Sequence, residues 1–162
     1  MITEAPPPPA IVRLAEEIEK HEKTYRNVET LTGIPWMLIG AIHYREADCR
    51  FNRSIKDGSI LPPTMDWELH AAVALTRWRH SVKLSVPASM KAMLEFAERY
   101  NGLGYRKRGL ASPYLWAGTD RYVKGKYTVD GKFDPNVVDK QIGVAPILQE
   151  LWARHVVETT KE

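Results

Sequence analysis

Between Gly33 and Asn52 the chain reads GIPWMLIGAIHYREADCRFN. Pro35 is suited to a helix start, where a missing N–H costs nothing and φ is already set. The run Trp36-Met37-Leu38-Ile39-Gly40-Ala41-Ile42 that follows is apolar on nearly every side of a helix. Such a helix belongs inside a protein, with other helices built around it. Its far end changes character abruptly, to His43, Tyr44, Arg45, Glu46, Asp48 and Arg50. A core helix that carries a carboxyl to its polar end holds that acid between core and solvent. Desolvation there raises a glutamate pKa and keeps the group protonated, as a proton donor requires. The sequence therefore nominates Glu46 as a general acid. The plainer alternative is a solvated end residue, or half of an ion pair with Arg45 or Arg50.

The remaining chain limits what can surround this helix. At 162 residues it is one domain with a sufficient core. A single cysteine, Cys49, excludes an internal disulfide and a Cys-rich zinc site. The net charge of +3 is a modest bias towards anionic partners. Apart from Arg106-Lys107-Arg108 the basic residues are scattered, so no nucleic-acid partner is expected. The run at 36–42 is too short for a bilayer, and no stable membrane insertion is expected. The start Met1-Ile2-Thr3-Glu4 followed by Pro6 to Pro9 lacks the pattern of a secretory signal. The chain is expected to be made in the cytoplasm and to act as a monomer.

In order, residues 1–9 read as a flexible, proline-rich lead-in, and 10–162 as one domain. Ile11, Leu14, Ile18, Tyr25 and Val28 recur at helical spacing, predicting one long amphipathic helix ending near Gly33. After the central helix, Ser54 to Ile60 predicts a small hairpin about Asp57-Gly58, which brings Asp57 and Asn52 back towards Glu46. Thr64 or Asp66 caps the next helix, with Trp67, Ala71, Leu75 and Trp78 inward. Another helix begins near Ser85 and Pro87. His70 and His80 are placed at the surface or at caps. From Glu98 to Tyr127 glycines alternate with Tyr100, Tyr105, Tyr114, Trp116, Tyr122 and Tyr127. Flat rings with polar tips, beside glycines that allow close approach, suit a groove for sugar rings or bases. About half of these rings are expected to pack the loops onto the helices instead. Lys126 to Phe133 predicts a hairpin at Asp130-Gly131. Asp134-Pro135 then starts a last helix, kinked or restarted at Pro146. The fold class is mainly α, with one or two small hairpins.

Other chemistries fit less well. His43 and Glu46 stand three apart on a helix, but with no second pair and no HExxH no metal is assigned. Cys49 follows the C-terminal end of a helix, where the dipole disfavours a thiolate. Phosphate-cradling and nucleophile-elbow motifs are missing, so no cofactor is expected. An acid on a core helix and an aromatic groove remain, the equipment of a glycosidase.

PWMLIGAIHYREADCRFN resembles the catalytic helix of the lysozyme superfamily, especially goose-type lysozymes and bacterial lytic transglycosylases. There an apolar helix runs into R-(Q)-E-S and then F-N. Glu46 falls on the acid, Ala47 where serine is usual, and Phe51-Asn52 on the following segment. Tyr100-Asn101-Gly102 resembles the Tyr-Asn-Gly/Ala motif that lines the sugar groove. SPYLWAGT and GKY are similar to segments of phage-type endolysins and muramidase-like bacterial proteins. The likeness covers residues 33–127. The usual Gly-Leu-Met-Gln segment is not recognisable, and the Asp57-Gly58 loop stands in its place.

The resemblance implies a lysozyme-like α+β domain that cleaves the β-1,4 bond between N-acetylmuramic acid and N-acetylglucosamine. Peptidoglycan strands would be its partner, met in the bacterial wall after release or delivery. Glu46 would be the acid and Asp57, or failing it Asp48, a second carboxylate. With a second carboxylate the product is a reducing sugar; without one the C6 hydroxyl attacks and leaves an anhydro end. Asn52, Tyr100, Asn101, Tyr105, Tyr114 and Tyr127 would line the groove. The alternatives are a chitinase-like hydrolase and a catalytically silent glycan-binding or phage structural domain of the same fold.

Overall fold

The computed structural model describes residues 6–157. The expectations placed on residues 1–5 and 158–162 lie outside this range. Eight α-helices follow in order: α1 Pro9–Lys20, α2 Glu22–Thr32, α3 Trp36–Ala47, α4 Trp67–Ser81, α5 Met90–Asn101, α6 Gly104–Lys107, α7 Pro113–Trp116 and α8 Val144–Trp152. Between α7 and α8 lie two short strands, β1 Lys126–Tyr127 and β2 Phe133–Asp134. The fold is mainly helical, as the periodicity requires.

Helix α3 is the axis of the core. Ten of its twelve residues are buried, and it packs against α1, α2, α5 and α8. Gly40 sets one close crossing: a Cβ there would lie 2.5 Å from Cγ2 of Ile18 and 3.3 Å from the Tyr25 ring. The start of α3 is fastened by α2, because Oε1 of Glu29 accepts the Trp36 backbone N–H at 2.7 Å. That side chain satisfies one of the donors a helix leaves unpaired at its N-terminus.

The structure corrects several boundaries. The long first helix divides at His21, whose φ of −111° leaves the helical range. The break lets α1 run along α8 while α2 turns to α4. The His21 ring packs edge-on to Phe51 at 4.8 Å and so marks the corner. Asp66, not Thr64, caps α4, its Oδ1 accepting from the Leu69 N–H. Helix α5 begins at Met90 with Ser89 as its cap, later than Ser85 and Pro87 suggest.

No helix starts at Asp134-Pro135. Asp134 belongs to β2, paired with Lys126, and its Oδ1 accepts from Asn136 N–H. The final helix starts ten residues later, at Val144. Pro146 sits in its first turn, where no intrahelical N–H is needed, and so produces no kink. The hairpin at Asp130-Gly131 is present, with Tyr127 opposite Phe133 and a short 3-10 turn between the strands. The loop about Asp57-Gly58 is closed by a single antiparallel bridge, Arg53 to Ile60, rather than by a ladder.

Candidate functional site

Glu46 lies one residue before the end of α3, where the chain stops being helical at Asp48 and Cys49, both with positive φ. Its side chain is half-buried. Oε2 accepts a 2.8 Å hydrogen bond from the Tyr114 hydroxyl, which α7 delivers from sixty-eight residues away. Burial raises the Glu46 pKa above the usual carboxyl value, and the nearby charge of Asp57 adds to this. The Tyr114 bond and the Arg45 charge work in the opposite direction and are outweighed.

The Asp57 loop folds onto the end of α3. Gly58 has φ +77°, and a Cβ there would fall on the carbonyl oxygen of Glu46 itself. No larger residue fits in that approach without displacement. Three contacts hold the loop: Tyr100 OH donates to the Ile55 carbonyl at 2.8 Å, Ile55 is fully buried, and Ser54 Oγ pairs with Nε2 of His70 at 2.9 Å. Asp57 is exposed, and hydrogen bonds from the Ser59 hydroxyl and N–H hold its pKa below the usual range. Two neighbouring carboxyls are thus driven apart, Glu46 towards protonation and Asp57 towards ionisation. Such divergence is how one site obtains an acid and an anion at the same pH.

A cavity of about 410 Å³ opens against Arg45, the neighbour of Glu46, and Tyr114, its hydrogen-bond partner; Glu46 itself is not in the lining. Asn101, Tyr105, Tyr114 and Tyr127 line it, four of the six residues expected for a groove. Tyr100 is placed otherwise, as the pin of the Asp57 loop, although its pKa is raised by burial and by both carboxylates. Asn52 is exposed on the loop after α3, away from the cavity lining, and its carbonyl accepts from Leu61. Asp48 is exposed at the cap of α3. Tyr122 is structural: it donates to the Gly125 carbonyl and accepts from the Asp139 N–H.

Sequence reasoning missed the other wall of the cavity. Arg45 Nη2 meets Oδ2 of Asp139 at 3.0 Å, with side chains 8% and 5% exposed. Arg45 Nη1 donates to the Gln141 carbonyl at 2.8 Å, and its guanidinium lies 4.9 Å from the centre of the Tyr114 ring. The Gln141 amide returns to the Tyr44 and Arg45 carbonyls in the last turn of α3, Tyr44 already accepting the Asp48 N–H. Segment 139–142 thereby acts as a clamp on the helix that carries the acid. The signal was weak: one Asp and one Gln in a stretch read as the start of a helix.

The alternative chemistries are placed as follows. His43 is fully buried; its Nε2 donates to the Arg50 carbonyl and its Nδ1 accepts from Tyr25 OH. Both nitrogens are engaged within the core, and burial lowers its pKa to about 4. Burial likewise raises the Cys49 thiol to about 11. Among the described residues no three His, Cys, Asp or Glu side chains gather in a metal-binding group. No described helix is long and apolar enough to cross a membrane. No family model matches the chain, and comparisons with curated proteins and with solved structures find no match either.

Proposed function

We propose that the protein is a peptidoglycan glycosidase with a lysozyme-like fold, cleaving the β-1,4 bond between N-acetylmuramic acid and N-acetylglucosamine with Glu46 as general acid. One observation carries the reading: a carboxyl at the end of the core helix, its pKa raised by burial, accepts a hydrogen bond from Tyr114, a residue of the aromatic cavity wall. The sequence resemblance around Glu46 and Tyr100-Asn101-Gly102 supports the same assignment. Glu46 donates its proton to the glycosidic oxygen as positive charge develops on the sugar ring. Because Tyr114 occupies Oε2, the proton to be donated is carried on Oε1. Asp57, held towards ionisation and near enough for its charge to raise the Glu46 pKa, is the candidate to hold a water or to stabilise the cation. Tyr127, the least buried of the three wall tyrosines, offers an aromatic surface to the saccharide, with the buried Tyr105 and Tyr114 behind the wall.

The test is digestion of isolated sacculi with released muropeptides identified by mass spectrometry, for the native chain and Glu46→Gln. Release by the native chain, falling by about 10²–10⁴ in the variant as loss of a general acid requires, supports the reading. Reducing ends establish hydrolysis and make Asp57 the next residue to change; anhydro ends assign the attack to the muramic C6 hydroxyl. Cleavage of chitin but not of sacculi points to a chitinase-like enzyme. Sacculus binding without cleavage, equal in both proteins, points to a silent glycan-binding domain.

A further inference from the structure

The ammonium of Lys126 has no task in the mechanism above, yet it stands in the cavity wall. Two cations line this cavity, Arg45 and Lys126, against one described anion, Asp139. The anion is already engaged. Its Oδ2 takes Arg45 at 3.0 Å and its Oδ1 takes the Gln141 N–H at 3.0 Å. Lys126 approaches Oδ2 no closer than 3.9 Å, beyond hydrogen-bond reach, and its side chain is 40% exposed. An ammonium has three donors, and those of Lys126 meet no acceptor among the described residues. Arg45 behind it also keeps one buried donor unpartnered, Nε, in a side chain more than nine-tenths buried. Strand pairing with Asp134 and the Tyr105 hydroxyl, which accepts the Tyr127 N–H, fix the backbone that carries Lys126. Arg108, stacked over Phe133 at 4.2 Å and donating to Tyr127 OH, keeps the hairpin in place from outside.

We infer that Lys126, backed by the charge of Arg45, is the recognition point for a carboxylate carried on the saccharide. The inference rests on the glycosidase reading of the same site and makes the cavity select acidic strands over neutral ones. A carboxylate entering there meets an ammonium with free donors in a partly desolvated wall, where a charge-assisted hydrogen bond is stronger than in water. The uncharged Asn101 in the same lining is left to the amides and hydroxyls that acidic and neutral strands share. In wall polymer the carboxylate has two sources, the lactyl ether of muramic acid and the peptide attached to it. Chitin has neither.

The experiment measures binding by calorimetry to the full chain bearing Glu46→Gln, so that no probe is consumed. The probes are a tetrasaccharide of alternating N-acetylglucosamine and peptide-bearing N-acetylmuramic acid, the same tetrasaccharide stripped of peptide, and chitotetraose. The expected result is a preference of about tenfold for an acidic probe over chitotetraose, the scale of one charge-assisted contact. Adding Lys126→Gln brings the affinities together, and Lys126→Arg retains the preference. A preference shown by the stripped probe assigns the lactyl carboxylate; one shown by the peptide-bearing probe alone assigns the peptide. Equal binding of all three, equal weakening of all three by Lys126→Gln, or binding of none overturns the inference. Failure of the glycosidase reading is seen separately, as absence of cleavage by the native chain whatever the order of affinities.

Discussion

The Tyr114 hydroxyl donates to Oε2 of Glu46 across 2.8 Å, joining the end of the core helix to a four-residue helix far along the chain. Tyr114 is 3% exposed, so water does not replace its hydroxyl when that is removed. The bond favours ionised Glu46 and partly offsets the rise that burial causes. Tyr114→Phe is therefore expected to raise the Glu46 pKa further. On sacculi, the alkaline limb of kcat/KM against pH moves upward, while the plateau falls about tenfold as the carboxyl loses its fixed orientation. A limb that moved down, or stayed in place, would show that Tyr114 does not act on the acid.

Stability supplies a test that needs no substrate. Glu46 has a raised pKa in the folded state, so the native chain binds its proton more tightly than the unfolded chain does. The favourable contribution is complete below the unfolded value of about 4.5 and is lost as pH rises through the folded one. At pH 7, above the unfolded value, the partly desolvated carboxyl therefore costs stability. Glu46→Gln removes that cost while keeping an oxygen for Tyr114. Urea melts should find the variant more stable than the native chain at pH 7, with the difference shrinking towards pH 4. A functional group that weakens its own fold is common at active sites.

The Asp57 loop depends on Gly58 twice, for its left-handed φ of +77° and for its contact with the Glu46 carbonyl. Gly58→Ala breaks both conditions at once. A loss of about 1–3 kcal/mol in urea denaturation is expected from the strained backbone alone. Activity should fall further than stability explains, because the loop that carries Asp57 must retreat from the acid. Asp57→Asn, which leaves the backbone in place, separates the two effects. If Gly58→Ala matches the native chain in both assays, the close approach has no functional weight.

The core helix and the half-buried carboxyl at its end were legible in the sequence because both depend on local pattern: an apolar run that must be buried, and a sudden change to polar residues. The hairpin at Asp130-Gly131 was legible for the same reason, since turn geometry is a property of a few neighbouring residues. The last helix was not. Asp134-Pro135 is a strong start signal, but Asp134 is held in a strand by pairing with Lys126, a contact that local propensity cannot see. Tyr100 shows the same limit at the site. Its place among the alternating glycines and its Tyr-Asn-Gly context suggested a groove residue, whereas its hydroxyl is committed to the Ile55 carbonyl, forty-five residues earlier. The bond between Arg45 and Asp139 spans ninety-four residues and has no sequence signature.

That pair gives the sharpest energetic expectation. Asp139→Asn preserves shape but removes the charge opposite Arg45, a guanidinium 8% exposed with one nitrogen already unpartnered. Breaking a buried pair from one side leaves an uncompensated charge and costs about 3–5 kcal/mol. Adding Arg45→Met in the same chain should recover part of that loss, because it removes the uncompensated buried charge. Asp139→Asn also leaves the Arg45 charge, which lowers the Glu46 pKa, without its counter-ion. Its effect on the acid then grows, and the alkaline limb of the sacculus profile moves downward, the opposite of Tyr114→Phe. A destabilised Asp139→Asn with an unmoved limb would confine the clamp to holding the fold; a shift in both assigns it to setting the acid as well.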